Sequence, residues 1–360
     1  MPALCRAATA AGWARPTTIQ AAVLPVALAG RDVRAQAPTG SGKTAAFLLP
    51  VLQRLLTDAQ AGTERPRRLR VLVLSPTREL ALQTGDAVKG LLAAWSHAPR
   101  CVVAVGGASI NPQLMALRGG AHLLVATPGR LLDLLAHNAL RLGDVDTLVL
   151  DEADRLLDQG FADEVGRVLA VLPPKRQTLM FSATWPEAVS ALAERVLRNP
   201  EAVQTGSGVA SAEGAVEPGD AQPHITQRAI VVDTGRRTAL LRQLITTEGW
   251  TRVLVFVATQ YASEHVADKL RRAGVKAEAL HGRQSPGRRA KALADLQADQ
   301  ITVLVATDLA ARGIDLPGLG VVVNHDLARS AVDHTHRIGR TGRAGAAGLA
   351  VSLICADAPG

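Results

Sequence analysis

Residues 147–154 read Thr-Leu-Val-Leu-Asp-Glu-Ala-Asp, so that a short apolar run ends in three carboxylates. A continuous Leu/Val run of this length is typical of a strand buried on both faces of a parallel sheet. The carboxyl end of such a strand is the edge at which open α/β sheets bind ligands. An acidic pair there can hold Mg²⁺ beside a phosphate and activate a water molecule. The four residues 151–154, Asp-Glu-Ala-Asp, could equally begin an ordinary solvated helix. Taken alone, they do not decide between a metal site and a helix start.

Runs rich in Val and Leu alternate with helix-length stretches rich in Ala, Leu and Arg along the whole chain. This alternation predicts an α/β fold of parallel sheets covered by helices on both faces. In the first half the predicted strands span residues 33–35, 71–74, 102–105, 123–126, 148–150 and 178–181. In the second half they span residues 229–232, 253–257, 277–280, 302–306, 321–324 and 349–354.

The two series of strands are separated by residues 205–224, which are rich in Gly, Ala, Ser, Glu and Pro and lack an apolar period. Such a composition indicates a linker. A length of 360 residues suits two domains, each with its own core. We therefore predict domains at residues 1–204 and 225–360, the second cut short at its end. A long surface loop within a single domain is the alternative.

Composition excludes several classes of protein. Hydrophobic residues make up 48% of the chain, which excludes a disordered protein. No apolar run approaches the roughly 18 residues that span a bilayer, so no membrane segment is expected. Residues 19–30 are apolar, but they contain Gln20 and Pro25 and lack a preceding basic region, which argues against a signal peptide.

The three cysteines and the net charge indicate the compartment and the partner. Cys5, Cys101 and Cys355 are scattered, so neither a disulfide framework nor a zinc site is expected, and a reducing cytoplasm fits. A formal charge of +8 favours a polyanionic partner. Because the arginines are dispersed, a charge that serves only solubility is the alternative.

Residues 37–44, Ala-Pro-Thr-Gly-Ser-Gly-Lys-Thr, follow the first predicted strand and open a predicted helix over residues 43–56. Gly40 and Gly42 let the backbone amides wrap around phosphate oxygens at the helix N-terminus. Lys43 can reach the β- and γ-phosphates, and the Thr44 hydroxyl can bind Mg²⁺. Asp151 would share that Mg²⁺, and Glu152 would orient or deprotonate the attacking water. The alternative is a glycine-rich turn that only caps a helix.

Residues 336–343, His-Arg-Ile-Gly-Arg-Thr-Gly-Arg, form an arginine cluster in the second predicted domain. Arginines that reach the developing charge on the γ-phosphate can raise the rate of phosphoryl transfer by about 10³–10⁵. If they come from the second domain, hydrolysis requires the two domains to close. An ordinary basic surface loop is the alternative.

Taken together, these motifs resemble those of the DEAD-box RNA helicases over nearly the whole chain. The motifs that carry the likeness, in order, are Gly12-Trp13-x-x-Pro16-Thr17-x-Ile19-Gln20, the phosphate loop, Pro76-Thr77-Arg78-Glu79-Leu80, Gly106-Gly107, Thr127-Pro128-Gly129-Arg130, the acidic box, Ser182-Ala183-Thr184, Val255-Phe256-Val257, His281-Gly282, Thr307-Asp308-x-x-x-Arg312-Gly313-Ile314-Asp315 and the arginine cluster. The stretch from Ser109 to Gly120 is most similar to the bacterial RhlE-type branch. The resemblance implies two tandem RecA-like domains, each a mostly parallel sheet, and an RNA-dependent ATPase that uses ATP and Mg²⁺.

The resemblance also implies roles in nucleotide binding. Gln20 is expected to read the adenine edge, Asp315 to contact the ribose, and Arg340 and Arg343 to reach the γ-phosphate. Trp13 would pack either on the adenine ring or in the core. The loop residues expected to bind the nucleotide are Thr39, Gly40, Ser41, Gly42, Lys43 and Thr44.

On the nucleic-acid side, the resemblance implies contacts to sugar and phosphate that do not read sequence. The residues expected to make these contacts are Pro76, Thr77, Arg78, Gly107, Thr127 and Arg130 in the first domain, and Gly282, Arg289 and Thr307 in the second. Four Trp, one Tyr and four Phe in the whole chain leave few base-stacking surfaces. Asp154 is expected to couple the acidic box to Ser182, Thr184 and His336 and not to bind metal.

Two functions remain open at this point. The first is an RNA helicase that separates short duplexes locally; ribosomal and RNA-decay assemblies are both compatible substrates. The second is an ATP-dependent RNA clamp with little unwinding, because Pro286 stands where the family usually has glutamine, three residues before Arg289.

Overall fold

The computed structural model describes residues 2–38, 40–60, 68–95, 98–158, 160–205, 225–311, 316, 318–342 and 347–355. The chain divides into two compact units, Met1–Ala212 and Glu213–Gly360. Most of the predicted linker, residues 206–224, lies outside the described residues.

The first unit is built on a sheet of seven strands in the order β3-β4-β2-β5-β6-β1-β7. Every pairing in it is parallel. The strands are β1 Val33–Gln36, β2 Val71–Leu74, β3 Cys101–Ala104, β4 Leu123–Ala126, β5 Thr147–Leu150, β6 Gln177–Ser182 and β7 Glu201–Gln204. The helices are α1 Pro2–Ala10, α2 Thr18–Leu28, α3 Lys43–Gln60, α4 Arg78–Leu92, α5 Asn111–Leu117, α6 Pro128–Ala136, α7 Ala153–Asp158, α8 Ala162–Val171 and α9 Glu187–Val196.

Helices cover both faces of this sheet, and successive strand residues enter two different cores. On β5, Val149 packs into the core formed with α2, α3 and α4, whereas Leu148 and Leu150 pack into the core formed with α6, α8 and α9. Burial on both faces is the reason these strands read as unbroken apolar runs.

The second unit is built on six parallel strands in the order β10-β11-β9-β12-β13-β8. The strands are β8 Ile225–Val231, β9 Val253–Val257, β10 Ala277–Leu280, β11 Val303–Thr307, β12 Val321–Asn324 and β13 Gly348–Ile354. The helices are α10 Arg237–Thr247, preceded by a 3₁₀ turn at Thr234–Arg236, then α11 Gln260–Arg272, α12 Pro286–Gln297, α13 Asp308–Ala311 and α14 Ala331–Ile338. Here too, alternate strand residues pack into two cores.

The strand predictions fail at one edge of each sheet. The sequence analysis missed β7, in which Val203 alone is buried. It placed the start of β8 four residues late, at residue 229, because most of β8 is exposed and its first half is polar. These two edge strands bury little surface, so they lack the apolar run by which strands are recognised. No helix within the described residues is long and apolar enough to cross a bilayer.

Helix α4 packs on β3 through a glycine, which gives a test of the packing. A Cβ on Gly85 would lie 2.2 Å from Cγ2 of Val103, whereas a Cβ on Gly90 of the same helix meets nothing within 4 Å. We expect Gly85→Ala to lower the free energy of unfolding by about 1–3 kcal/mol through overpacking. Gly90→Ala should raise it by up to about 1 kcal/mol through helix propensity. Urea unfolding of the two variants measures the difference, and equal stabilities would contradict the packing.

Candidate nucleotide and nucleic-acid site

The phosphate loop joins the carboxyl end of β1 to the N-terminus of α3. Gly40 and Gly42 have φ of 81° and 92°, a left-handed region in which side chains are strained. A Cβ on Gly42 would also lie 2.3 Å from Nε2 of Gln20. Ser41 and Thr44 are half-buried on either side of these positions. The glycines are therefore required by the loop's shape, and Thr39 lies outside the described residues.

Gln20 fastens this loop to α2. The side chain is buried, its Oε1 accepts a hydrogen bond from the Thr17 backbone N–H at 3.1 Å, and its Nε2 donates to the Gly42 carbonyl at 3.0 Å. Thr17 in turn donates to the Ser41 carbonyl at 2.8 Å. The amide can still make one further hydrogen bond at each end, so it keeps the capacity for the predicted contact with adenine. Trp13 is half-buried and packs against the core of the first unit.

Lys43 is the buried cation of the site. Its Nζ donates to the carbonyls of Ala37 at 2.6 Å and Pro38 at 3.0 Å. Burial lowers the pKa of Lys43, and the negative charges of Glu152, Asp151 and Asp154 act against that shift. The ammonium thus faces the acidic box across the end of the sheet.

The acidic box follows β5 directly, and all three of its carboxylates are buried. Burial, and then repulsion from Glu152, raises the pKa of Asp151 to about 7, while Lys43 partly opposes the rise. Glu152 has φ of 50° and forms an ion pair with Arg155 at 2.8 Å. Asp151 is therefore the carboxylate whose negative charge is least compensated by protein groups.

Asp154 is bound instead to the segment after β6. Its Oδ2 accepts hydrogen bonds from the Thr184 backbone N–H at 2.9 Å and the Thr184 hydroxyl at 2.8 Å. The Ser182 hydroxyl accepts from the Asp154 backbone N–H at 3.2 Å and donates to the Thr184 carbonyl at 2.7 Å. The structure therefore brings Asp154, Ser182 and Thr184 together, and His336 lies buried in the other unit.

The residues at this edge fit a magnesium nucleotide. Mg²⁺ is commonly held by one or two carboxylates together with substrate phosphates and water. Asp151 and Thr44 are the residues that would hold it, because a cation would offset the repulsion that raises the pKa of Asp151.

The residues predicted to contact RNA from the first unit gather around one loop after β3. Arg78 Nη1 donates to the Gly106 carbonyl at 3.4 Å, the Thr127 hydroxyl accepts from Gly106 N–H at 3.3 Å, and Arg130 Nη2 donates to the Ala108 carbonyl at 2.8 Å. Gly107 is exposed, with φ of 72°. Pro76 and Thr77 are buried where β2 runs into α4, and the Thr77 hydroxyl accepts from Leu80 N–H. These side chains shape a loop, which leaves backbone groups and Arg78 to meet a ligand.

The corresponding residues of the second unit also lie at the carboxyl edge of its sheet. His281 Nε2 lies 2.8 Å from Glu264 Oε1, next to the exposed Gly282. Thr307 is buried at the end of β11, and Arg289 is half-buried in the first turn of α12.

The arginine cluster divides into residues with different tasks. Arg337 forms a two-pronged ion pair with Asp308, at 2.6 and 2.7 Å, and also donates to the Asp326 carbonyl at 2.6 Å. Arg337 therefore holds α14 to the ends of the strands. Arg340 is buried, with Nε 3.3 Å from the His336 carbonyl. Arg343 and Asp315 lie outside the described residues.

Two supporting residues were missed by the sequence analysis. Gln113 makes two hydrogen bonds of 3.1 Å to the backbone of Val105 and so fixes the loop after β3. Arg155 forms an ion pair with Glu152, three residues before it in the chain. That spacing at the start of a helix is the sequence signal from which the pair could have been predicted. Nothing in the local pattern around Gln113 pointed to its role.

Known proteins match this chain over the regions that carry these motifs. A family model described as DEAD/DEAH box helicase matches residues 17–192, and one described as Helicase conserved C-terminal domain matches residues 236–345. The ATP-dependent RNA helicase DbpA of Escherichia coli is 41% identical over 346 residues, which cover 96% of this chain and 72% of DbpA. DEAD-box ATP-dependent RNA helicase 14 of Arabidopsis thaliana is 41% identical over 360 residues, and the match covers 98% of this chain and 55% of that protein.

Solved structures show the same architecture. S. cerevisiae Dbp5 bound to RNA and ADP BeF3 has a TM-score of 0.81 and 29% identity, covering 99% of this chain and 88% of its own. Mss116p bound to ssRNA and AMP-PNP has a TM-score of 0.82 and 26% identity, covering 99% and 72%. The prediction of two RecA-like domains is confirmed by these likenesses.

The contacts of Gln20 give a test of the nucleotide loop. In Gln20→Glu, a carboxylate oxygen would face the Gly42 carbonyl, so the bond that fastens the loop becomes a repulsion. Loss of about 1.4 kcal/mol predicts ATP binding weakened about tenfold. Titration with a fluorescent ATP analogue measures this. Gln53→Glu, on the outer part of α3, is the matched control, and equal affinities of the two variants would contradict the assigned contact.

Proposed function

The chain belongs to the DEAD-box family of ATP-dependent RNA helicases, and from that premise we propose that it is an RNA-stimulated ATPase that separates short RNA duplexes locally or remodels RNA–protein complexes. The observation that carries the proposal is the burial of Lys43 opposite Asp151, Glu152 and Asp154 behind a glycine loop. That arrangement places one cation and one general base at a single phosphate-binding edge.

Each residue of this edge has a distinct task in hydrolysis. The loop amides and Lys43 bind and orient the β- and γ-phosphates, and Gln20 holds the loop in shape. Glu152 would take the proton of the attacking water, and its ion pair with Arg155 holds the carboxylate in place. Asp151 and Thr44 would hold Mg²⁺ together with the nucleotide, and the ion would supply positive charge to the phosphate oxygens.

We further propose that the second domain completes the site. Arg340 and Arg343 would reach the γ-phosphate when ATP and RNA together close the domains, and phosphate release would reopen them. Asp154, tied to Thr184 and Ser182, would relay closure to the acidic box together with His336. Asp315 would contact the ribose.

RNA would be bound by its backbone and without regard to sequence. The loop after β3, with Arg78 and Gly107, and the edge formed by Gly282, Arg289 and Thr307 are the surfaces we assign to it. The distinction between RNA and DNA would rest on 2′-hydroxyls.

Narrower assignments rest on single features of the sequence. Placement in the bacterial RhlE-type branch rests on Ser109–Gly120, which includes α5. A cytoplasmic location rests on three scattered cysteines without a disulfide pattern. Ribosomal or RNA-decay assemblies are compatible substrates.

An ATP-dependent RNA clamp is the second candidate. The observation that favours it is Pro286, the first residue of α12, at the edge assigned to RNA. Proline has no backbone N–H and no side-chain donor, so it removes a contact that glutamine would make. A clamp would retain RNA in the presence of ATP without separating strands.

Removal of the Glu152 carboxylate distinguishes RNA binding from ATP hydrolysis. We expect Glu152→Gln to lower ATP turnover by about 10²–10⁴ because the amide cannot accept the proton. ATP-dependent RNA binding should remain, since the amide oxygen can still accept from Arg155. Steady-state turnover and RNA retention with ATP measure the two effects. Glu187→Gln, exposed on α9, is the control that should keep turnover, and undiminished turnover in Glu152→Gln would contradict the assignment.

Strand displacement separates the helicase from the clamp. On a short RNA duplex with excess ATP, we expect the unaltered chain to release the strand rapidly and Glu152→Gln not to do so under multiple turnover. Tight ATP-dependent retention of RNA without displacement by the unaltered chain would favour the clamp. In that case Pro286→Gln is expected to restore displacement if the proline is the cause.

A further inference from the structure

A basic cavity of 290 Å³ lies at the amino-terminal edge of the first sheet. It is bounded by the last turns of α8 and α9 and by the residues that lead into β6. Three guanidiniums border it together with apolar side chains. The lining includes Leu169, Leu172, Arg176, Arg195, Val196 and Arg198.

The positive charge of this cavity is only partly compensated. Among the described residues, neither Arg195 nor Arg198 has a side-chain hydrogen bond or an ion pair with a carboxylate. Arg176 donates from Nη1 to the Pro173 carbonyl at 2.7 Å, but its Nε is shielded from solvent and has no partner. Burial, and then the neighbouring Arg198, lowers the pKa of Arg176. Guanidiniums that repel one another beside a cavity are the setting in which an anion binds.

Neighbouring negative groups offset only part of this positive charge. Asp32 is buried nearby and its charge acts on Arg176, although its two carboxylate oxygens accept the backbone N–H groups of Thr178 at 2.8 Å and Arg198 at 2.7 Å. The C-terminal ends of α8 and α9 also carry negative charge, about half an elementary charge each. Asp32 and the two helix ends together therefore offset about two of the three positive charges, which leaves about one.

The cavity is separate from the nucleotide edge. Arg176 immediately precedes β6, whose far end is Ser182 beside the acidic box. Six residues of strand span about 20 Å. A nucleotide on the phosphate loop cannot reach these arginines, so a ligand of this cavity would be a different one.

We propose that this cavity binds a backbone phosphate of an RNA strand outside the segment held at the carboxyl edges of the sheets, an inference that rests on the proposed RNA-binding function. Phosphate oxygens match the fork geometry of arginine, and the three guanidiniums offer more donors than a carboxylate could accept. Leu169, Leu172 and Val196, which also line the cavity, offer apolar surface to a ribose. The site would add a further phosphate contact to a long RNA strand, independent of the base sequence.

Charge removal at the two arginines without side-chain partners tests the proposal. The variant is Arg195→Gln with Arg198→Gln, and the control with equal charge loss is Arg6→Gln with Arg242→Gln, at exposed positions far from the cavity in the chain. Binding is measured with a non-hydrolysable ATP analogue and single-stranded RNAs of about 8 and about 30 nucleotides, lengths chosen around the roughly 4–16 nucleotides that one binding fold covers.

For the long RNA at 0.15 M salt, loss of two phosphate contacts predicts about tenfold weaker binding and a salt slope smaller by about 1.4. The short RNA should bind as before, and the control should bind the long RNA about as the unaltered chain does. Arg195→Lys with Arg198→Lys should keep most of the salt slope, and thermal unfolding checks that the fold is retained.

Equal affinity of the glutamine variant and the control for long RNA would overturn the assignment, including a case in which the cavity takes an acidic peptide instead. A weakening that is the same for short and long RNA would also overturn it, since the site would then not be a separate one. Failure of the unaltered chain to bind either RNA would instead contradict the proposed function itself.

Discussion

The burial of three carboxylates at the end of β5 is the constraint on which the rest of the site depends. Buried charges are costly unless protein groups or ions compensate them. Asp154 is satisfied by Thr184, and Glu152 by Arg155. Asp151 accepts a backbone hydrogen bond but keeps a pKa raised to about 7. One acid is thus tied to the segment after β6 and a second to an arginine, while the third is the least compensated by protein groups.

The parallel sheet explains why these groups meet. All seven strands of the first unit run in one direction, so the loops after β1, β2, β4, β5 and β6 emerge at one edge. The phosphate loop, the acidic box and the Ser182–Thr184 segment therefore lie together although they are far apart in sequence. The opposite edge carries the arginine cavity, which lies beyond the reach of a nucleotide bound at the phosphate loop.

Sequence analysis predicted the buried strands well, because burial on both faces leaves continuous apolar runs such as Val71–Leu74 and Val253–Val257. It missed β7 and the start of β8, which are edge strands with polar sides. The phosphate loop and the acidic box could be recognised because glycine, lysine and carboxylates at these fixed spacings are typical of few sites other than nucleotide-binding ones.

Other features of the site could not have been predicted from the local sequence pattern. The hold of Gln20 on Gly42, the support of the β3 loop by Gln113 and the ion pair of Arg337 with Asp308 all join segments distant in the chain. In the sequence, Arg337 cannot be distinguished from the other arginines of the cluster. The structure shows it as a tie between a helix and two strand ends.

We propose that RNA gates ATP hydrolysis at the acidic box, and the most direct test is ATP turnover by the whole chain with and without nucleic acid. Turnover should be recorded with single-stranded RNA, duplex RNA and DNA over a range of salt. The account predicts that RNA raises turnover, that DNA does so far less, and that the stimulation weakens steeply with salt. ATP turnover that is unchanged by RNA would contradict it.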